Sequence, residues 1–274
     1  MLRIIINCRL IITLLSYDTT DENKSGKDYM KKIYPCILLS MYLLILLPVF
    51  LVIRWNSILH LFHQKSRTVV IDAGHGGFDP GKIGVNHALE KDINLKIAIK
   101  LKELLEENDI HVVMTREDEN DLGTGHHQNK KLADMRKRIS IINSSNASFA
   151  VSIHQNSFQQ ESSWGAQVFY YYKSEEGKVL AETLQERMKK TLKDGNRRQA
   201  KANSSYYLLK NSNCPLIIVE CGFLSNWREA ALLCEDAYQD KLAWAIHLGL
   251  LEYIAQTENG AQAENKITTD ITRE

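Results

Sequence analysis

Apolar strands alternating with amphipathic helices over residues 68–255 predict an α/β fold. The expected form is an open, mostly parallel twisted sheet covered by helices on both faces, preceded by one N-terminal transmembrane helix. Three observations carry this expectation. Short, nearly all-apolar runs recur (VVI from Val69, FAV from Phe149, LIIV from Leu216), each too short for a helix. The segments between them place apolar residues three or four apart. Finally, Ile33 to Ile53 contains no charged residue, a stretch that matches the ~20 residues needed to cross a bilayer core.

The N-terminal region reads as follows. Lys31 and Lys32 precede the apolar run, and Arg54-Trp55-Asn56 stands where a cleaved signal peptide would carry small residues. Residues 30–54 are therefore expected to be an uncleaved signal anchor. Lys24, Lys27, Lys31 and Lys32 on one side, against Arg54, Lys65 and Arg67 on the other, orient it with the N-terminus inside and the rest exported. Met30, two lysines and the apolar run look like the natural start of an exported protein. That makes residues 1–29 a non-native or disordered extension. Residues 55–67 are expected to form a stalk.

TVVIDA (68–73) is the first strand of the domain. Residues 92–107 place Ile93, Ile97, Leu101, Leu104 and Leu105 on one helical face. HVVMT (111–115) is the second strand, and residues 130–143 form a helix with Leu132, Met135, Ile139 and Ile142 as its stripe. FAVSIH (149–154) and AQVFYYY (166–172) are the third and fourth strands. Ser174 caps a helix carrying Leu180, Leu184 and Met188 that ends near Asp194-Gly195. PLIIVE (215–220) is a further buried strand. Asn226, with Glu229 three residues on, is a cap. A last helix carries Leu242, Ile246, Leu250 and Tyr253. Residues 256–274 have no aromatic and no periodic apolar face, and are expected to be a disordered tail.

A net charge of +1 gives no reason to expect a nucleic-acid partner. The 5 cysteines form no CxxC pair, and an odd number makes a poor disulfide framework. Cys214, Cys221 and Cys234 are expected to be small buried apolar residues. GHGG has neither GxGxxG spacing nor a Lys-Ser/Thr pair, so it is no phosphate loop.

The chemistry gathers where α/β sheets put it, at the carboxyl ends of the strands. His75 follows the first strand in DAGHGG, His154 ends the third in SIHQN, and Glu220 ends LIIVE. Each alone is as well explained by an ordinary strand end. Together they offer two imidazoles and a carboxylate, a common zinc set that leaves a fourth position for water. Glu90, in HALEKDINL at the start of the first long helix, is a second candidate acid, although an acidic residue there also suits the helix dipole. The residues supply two acids for two roles, ligand and general base, without assigning them.

DAGHGG, the glutamate of ALEKDINL, MTR, SIHQN and VECGFLSN, in that order over Thr68 to Ile254, resemble the zinc-dependent N-acetylmuramoyl-L-alanine amidases (the amidase-3 family). TREDENDL, LADMRKRISIIN, GAQVFYYY and YQDK are most similar to its sporulation-specific, CwlD-type branch. The resemblance implies one Zn2+ held by His75, Glu90 and His154, with Glu220 as the catalytic acid/base. It implies hydrolysis of the amide between the lactyl group of N-acetylmuramic acid and L-alanine of the peptidoglycan stem peptide, in spore cortex maturation. It also implies an activating protein partner. With the anchor, it puts the catalytic domain on the wall-facing side of the cytoplasmic membrane. Ser157 and Gln155 depart from many relatives without touching the ligand set.

The alternatives are a vegetative autolysin or cell-separation amidase, and a non-catalytic peptidoglycan-binding module; the intact set of four residues argues against the latter. Arg116 and Arg138 either position the site, contact anionic stem peptides, or form surface ion pairs. His126, His127, His87, His60 and His63 are not assigned as ligands. Trp164, Tyr170 to Tyr172, Tyr206 and Tyr207 could stack on sugars.

Overall fold

The computed structural model describes residues 67–120, 122 and 127–271, with Tyr42, Leu44 and Leu46 in addition. Apart from those three and Arg67, the expected extension, signal anchor and stalk lie outside the described residues, as do His60, His63 and His126. Among the described residues no helix is long and apolar enough to cross a membrane.

Six strands form one sheet: β1 (Thr68–Ala73), β2 (His111–Met114), β3 (Phe149–Asn156), β4 (Gln167–Tyr171), β5 (Lys201–Asn203) and β6 (Leu216–Phe223). Their order is β2-β1-β3-β6-β4-β5. β2, β1, β3 and β6 are mutually parallel where they pair, and β5 is parallel to β4. β4, however, runs antiparallel to β6, so the sheet is mixed. The reason is the connection. Only residues 157–166, without a helix, separate β3 from β4, too little for the crossover a parallel strand requires.

Among the described residues, six helices flank the sheet: α1 (Glu90–Glu106), α2 (His127–Ser144), α3 (Glu175–Leu192), α4 (Tyr207–Asn211), α5 (Trp227–Leu233) and α6 (Asp236–Ile271). Side-chain alternation divides the strands between two cores. Val69, Ile71 and Ala73 of β1, Phe149, Val151 and Ile153 of β3, and Ile217 and Val219 of β6 pack with α1, α3 and α6. Val70, Ala150, Leu216 and Ile218 form a smaller core with Ile142 of α2 and Leu208 and Leu209 of α4. At about 1.5–3 kcal/mol per fully buried aliphatic side chain, the first face carries most of the hydrophobic stabilisation.

The expected caps are present. Ser174 Oγ accepts from the Gly177 amide at 3.0 Å and Asn226 Oδ1 from the Glu229 amide at 3.0 Å. Two expectations need correcting. The tail expected from Gln256 is instead helical through Ile271, as part of α6. Packing of Leu242 to Tyr253 has already nucleated that helix, and extending it through Gln, Glu, Ala and Lys is cheap. Arg67 also pairs with Glu258 at 3.0 Å and Thr183 with Gln256 at 3.2 Å. Of the three cysteines expected to be buried, only Cys221 is. Cys214 is half-buried and Cys234, at the end of α5, is exposed.

Candidate metal centre and active site

The carboxyl ends of β1, β3 and β6 lie side by side, and His154 stands directly opposite Glu220 in the parallel register. Beyond that pair β6 carries one extra residue, since Asn156 faces Phe223. Such a bulge re-aims side chains next to sites. His75 is two residues past the end of β1, at φ 63°, in the left-handed region. Glu90 is the first residue of α1, but its carboxylate is turned inward and only 4% exposed. It therefore does not serve the helix terminus as a solvated charge.

These side chains converge. Glu90 Oε1 lies 3.1 Å from His75 Nε2 and 3.0 Å from His154 Nδ1. The two rings are 5.0 Å apart at 80°. One ligand atom from each of His75, Glu90 and His154 lies within 4.8 Å of the others. The backbone makes room for this. A Cβ on Gly74 would stand 2.3 Å from the His154 ring, so only glycine fits between strand end and imidazole. Glu90 is further fixed by the amides of Lys82 (2.7 Å, to Oε2) and Gln155 (3.1 Å, to Oε1), and by Asn94 Nδ2 at 3.4 Å.

The electrostatics agree with the geometry. Burial alone would raise the Glu90 carboxyl, but hydrogen bonds and charge from His154 and His75 reverse this and hold it well below the usual carboxylate range. Burial opposes protonation of His75. Glu90, then Asp79, outweigh it and raise the imidazole above its ordinary value. Two imidazoles and an ionised carboxylate facing one point form a donor set that suits a divalent cation, which would take the place of the ring protons.

Glu220 stands apart from this set. It lines the same cavity, but its Oε2 is buried with no hydrogen-bond partner among the described residues. Burial pushes its carboxyl up to about 7, against a downward pull from His154. The cavity has a volume of about 550 Å³ and is lined by His75, Glu90, His154 and Glu220, with Met135 and Tyr206 also among its walls. That size is typical of a ligand site.

Sequence reasoning missed Asp79. Its Oδ2 lies 3.0 Å from His75 Nδ1 and 3.3 Å from Lys131 Nζ, while Oδ1 accepts from the Gly81 amide at 3.2 Å. A carboxylate can only accept, so it puts a proton on Nδ1 and leaves Nε2 to face the ligand set. An acid four residues after a candidate ligand histidine, in GHGGFD, was the available signal. Cys221 packs in the apolar core, where burial and then Glu220 push its thiol well above its ordinary value. It is no nucleophile. Tyr206 and Tyr207 line the cavity, whereas Trp164 lines a separate open hollow with Asp194 and Arg198. His87 occupies a left-handed turn position outside the set.

Comparison with known proteins follows this geometry. The family model of N-acetylmuramoyl-L-alanine amidase (Amidase_3) matches residues 69–252. The germination-specific N-acetylmuramoyl-L-alanine amidase of Bacillus subtilis (strain 168) is 39% identical over 203 residues, covering 73% of this chain and 84% of that protein. The CwlD amidase from Clostridioides difficile, solved in complex with the GerS lipoprotein, is 41% identical. The match covers 69% of this chain and 98% of that one, with a TM-score of 0.67. An N-acetylmuramoyl-L-alanine amidase from Clostridium difficile 630 is 34% identical over 70% of this chain and 98% of its own, with a TM-score of 0.63. With the family model reaching all six strands and every residue of the converging set, the chain belongs to the N-acetylmuramoyl-L-alanine amidase family.

Proposed function

We propose that this chain is a single-zinc enzyme that cleaves the amide between the lactyl group of N-acetylmuramic acid and L-alanine of the peptidoglycan stem peptide. In this reading His75, Glu90 and His154 hold the ion and Glu220 is the general acid/base. One observation carries it: three ligand atoms meet within 4.8 Å while a second carboxylate, whose buried Oε2 has no hydrogen-bond partner among the described residues, lines the same cavity. Zinc in that set supplies Lewis acidity to the amide carbonyl and acidifies the attacking water.

The chain's own residues do the rest. Asp79 fixes the His75 tautomer through Nδ1, and Lys82, Gln155 and Asn94 fix the Glu90 carboxylate. Glu220 takes the proton of the water as it adds to the carbonyl carbon. It returns that proton to the alanine nitrogen as the C–N bond breaks. The products are a lactyl carboxylate and a free α-amino group. Proton transfer of this kind contributes roughly 10²–10⁴ in rate. A non-catalytic binding module would have no use for a carboxylate held beside a ligand set with one oxygen buried and without a partner among the described residues.

The biological setting is spore cortex maturation, supported by likeness to the germination-specific and CwlD amidases. The GerS lipoprotein in the CwlD structure supports a protein partner here too. We also propose a signal anchor over residues 30–54 and a stalk over 55–67, with the catalytic domain facing the wall. The uncharged run from Ile33 to Ile53 supports this placement.

The purified full-length chain should release new L-alanine amino termini from isolated sacculi, lose that activity to a chelator and regain it with zinc. Chelator-resistant release, or cleavage at another bond, contradicts the proposal. Loss of muramic δ-lactam in a deletion strain supports the cortex role; unseparated chains of cells with intact δ-lactam support cell separation instead.

A further inference from the structure

His75 sits at the end of a segment whose backbone carbonyls are all held by buried side chains. Arg116, just past β2, gives Nε to the Ala73 carbonyl at 2.9 Å and one terminal nitrogen to those of Gly74 at 3.0 Å and Lys91 at 2.8 Å. Its other terminal nitrogen meets the Asp118 carbonyl at 2.8 Å. All four hydrogen bonds end on backbone oxygen. Arg138, from α2, reaches the same segment from the other side. It donates to the Ala73 carbonyl at 2.7 Å and to that of His75 at 2.5 Å. Its remaining bonds go to Asp134 and Asp72, each at 2.6 Å. Asn94 adds a second bond to Gly74 at 3.1 Å.

Both arginines are buried, 4% and 1% exposed, so neither is a surface ion pair. Two planar forks thus grip three consecutive carbonyls, Ala73 to His75. That suits arginine, whose rigid donor fork lysine cannot imitate. Close approach demands one more thing. A Cβ on Gly76 would lie 3.1 Å from Arg116 Cδ and 2.7 Å from the Asn120 carbonyl, so a glycine must follow the histidine. His75 itself is left-handed, a conformation that persists in a non-glycine residue only when its surroundings over-determine it.

We propose that Arg116 and Arg138 are positioning residues that set the cation affinity of the site by clamping the backbone that carries His75. Both act through the backbone carbonyls of Ala73 to His75. The inference rests on the metal reading above. Its two members separate cleanly in a test. Arg138 is paired to two buried carboxylates, and removing it would leave uncompensated charge. Arg116 serves only carbonyls, so Arg116→Met is the cleaner probe, with Arg116→Lys as the conservative variant.

Zinc affinity of the full-length chain would be measured by competition with a chromophoric chelator. Amide hydrogen exchange of the metal-free protein would be measured alongside it. R116M should bind zinc about 10–100-fold more weakly than wild type, the size expected when support for a ligand is removed. R116K should recover only part of that. In the metal-free protein, the Gly76 and Gly77 amides should exchange faster while those of β3 and β6 do not change. Wild-type zinc affinity in a folded R116M would overturn the proposal. So would unchanged exchange at Gly76 and Gly77, a readout that stands even if the wild-type chain takes up no zinc.

Discussion

The two faces of the sheet use the same strands differently. Toward α1, α3 and α6, β1, β3 and β6 present apolar side chains as far as Ala73, Ile153 and Cys221, and only beyond Ile153 does a polar residue, Gln155, follow, bonded to Asn94 of α1 at 3.1 Å. Toward α2 and α4, each begins apolar and turns polar at its carboxyl end: Val70 then Asp72; Ala150 then Ser152 and His154; Ile218 then Glu220. Asp72 makes the change workable. It accepts from Thr115 at 2.7 Å, Ser152 at 2.5 Å and Arg138 at 2.6 Å, joining β1, β3, α2 and the residue that follows β2 around one buried charge. One face holds the fold together. The other gives up apolar contact at its rim so that titratable groups can be fixed by hydrogen bonds from the protein itself.

That contrast can be broken from either side. The largest effect should come from the polar rim. Glu220→Ala should reduce release of L-alanine termini from sacculi by roughly 10²–10⁴ with little change in thermal midpoint, because Glu220 Oε2 has no partner to lose. Next comes the apolar face. Phe149 is fully buried and meets Tyr253 edge-on at 5.5 Å. Phe149→Ala should destabilise the fold by about 3–5 kcal/mol, read as a shift in denaturant midpoint, while the protein that remains folded binds metal as before.

Acid should act on the polar face. Burial would raise Asp72, but Arg138, Ser152 and Thr115 hold its carboxyl down at about 2. The folded-state value lies below the unfolded one, so its stabilisation is complete above about pH 4 and is lost as the pH falls toward 2. On the order of 2 kcal/mol should disappear over that window, and Asp72→Asn should show a smaller acid-dependent loss than wild type. The smallest effect is a cap. Ser174→Ala removes the bond to Gly177 at the start of α3 and should lower stability by about 1 kcal/mol with no change at the metal centre.

Much of this was legible in the chain because burial writes itself into sequence. Runs such as FAV and LIIV announced β3 and β6, and helical spacing announced α1 and α3. Direction does not write itself in the same way: nothing in AQVFYYY says that β4 runs backwards, which follows from the short link to β3. β5 and α4, with 3 and 5 residues, are too short to show a period. The two histidines of the candidate metal set were visible as polar interruptions at strand ends. Asp79 was missed although it stands only four residues from His75, and the two arginines were named without a choice among their roles, because what decides that choice is contact across the fold. Arg138 lies 63 positions from the carbonyl of His75 that it holds.

The central claim is a division of labour between two glutamates, one holding the cation and one standing free beside it. Zinc content per chain, measured on purified wild type, Glu90→Ala and Glu220→Ala, tests it most directly. One equivalent in wild type and in E220A, with almost none in E90A, is the expected result. Zinc lost from E220A, or kept by E90A, would contradict it.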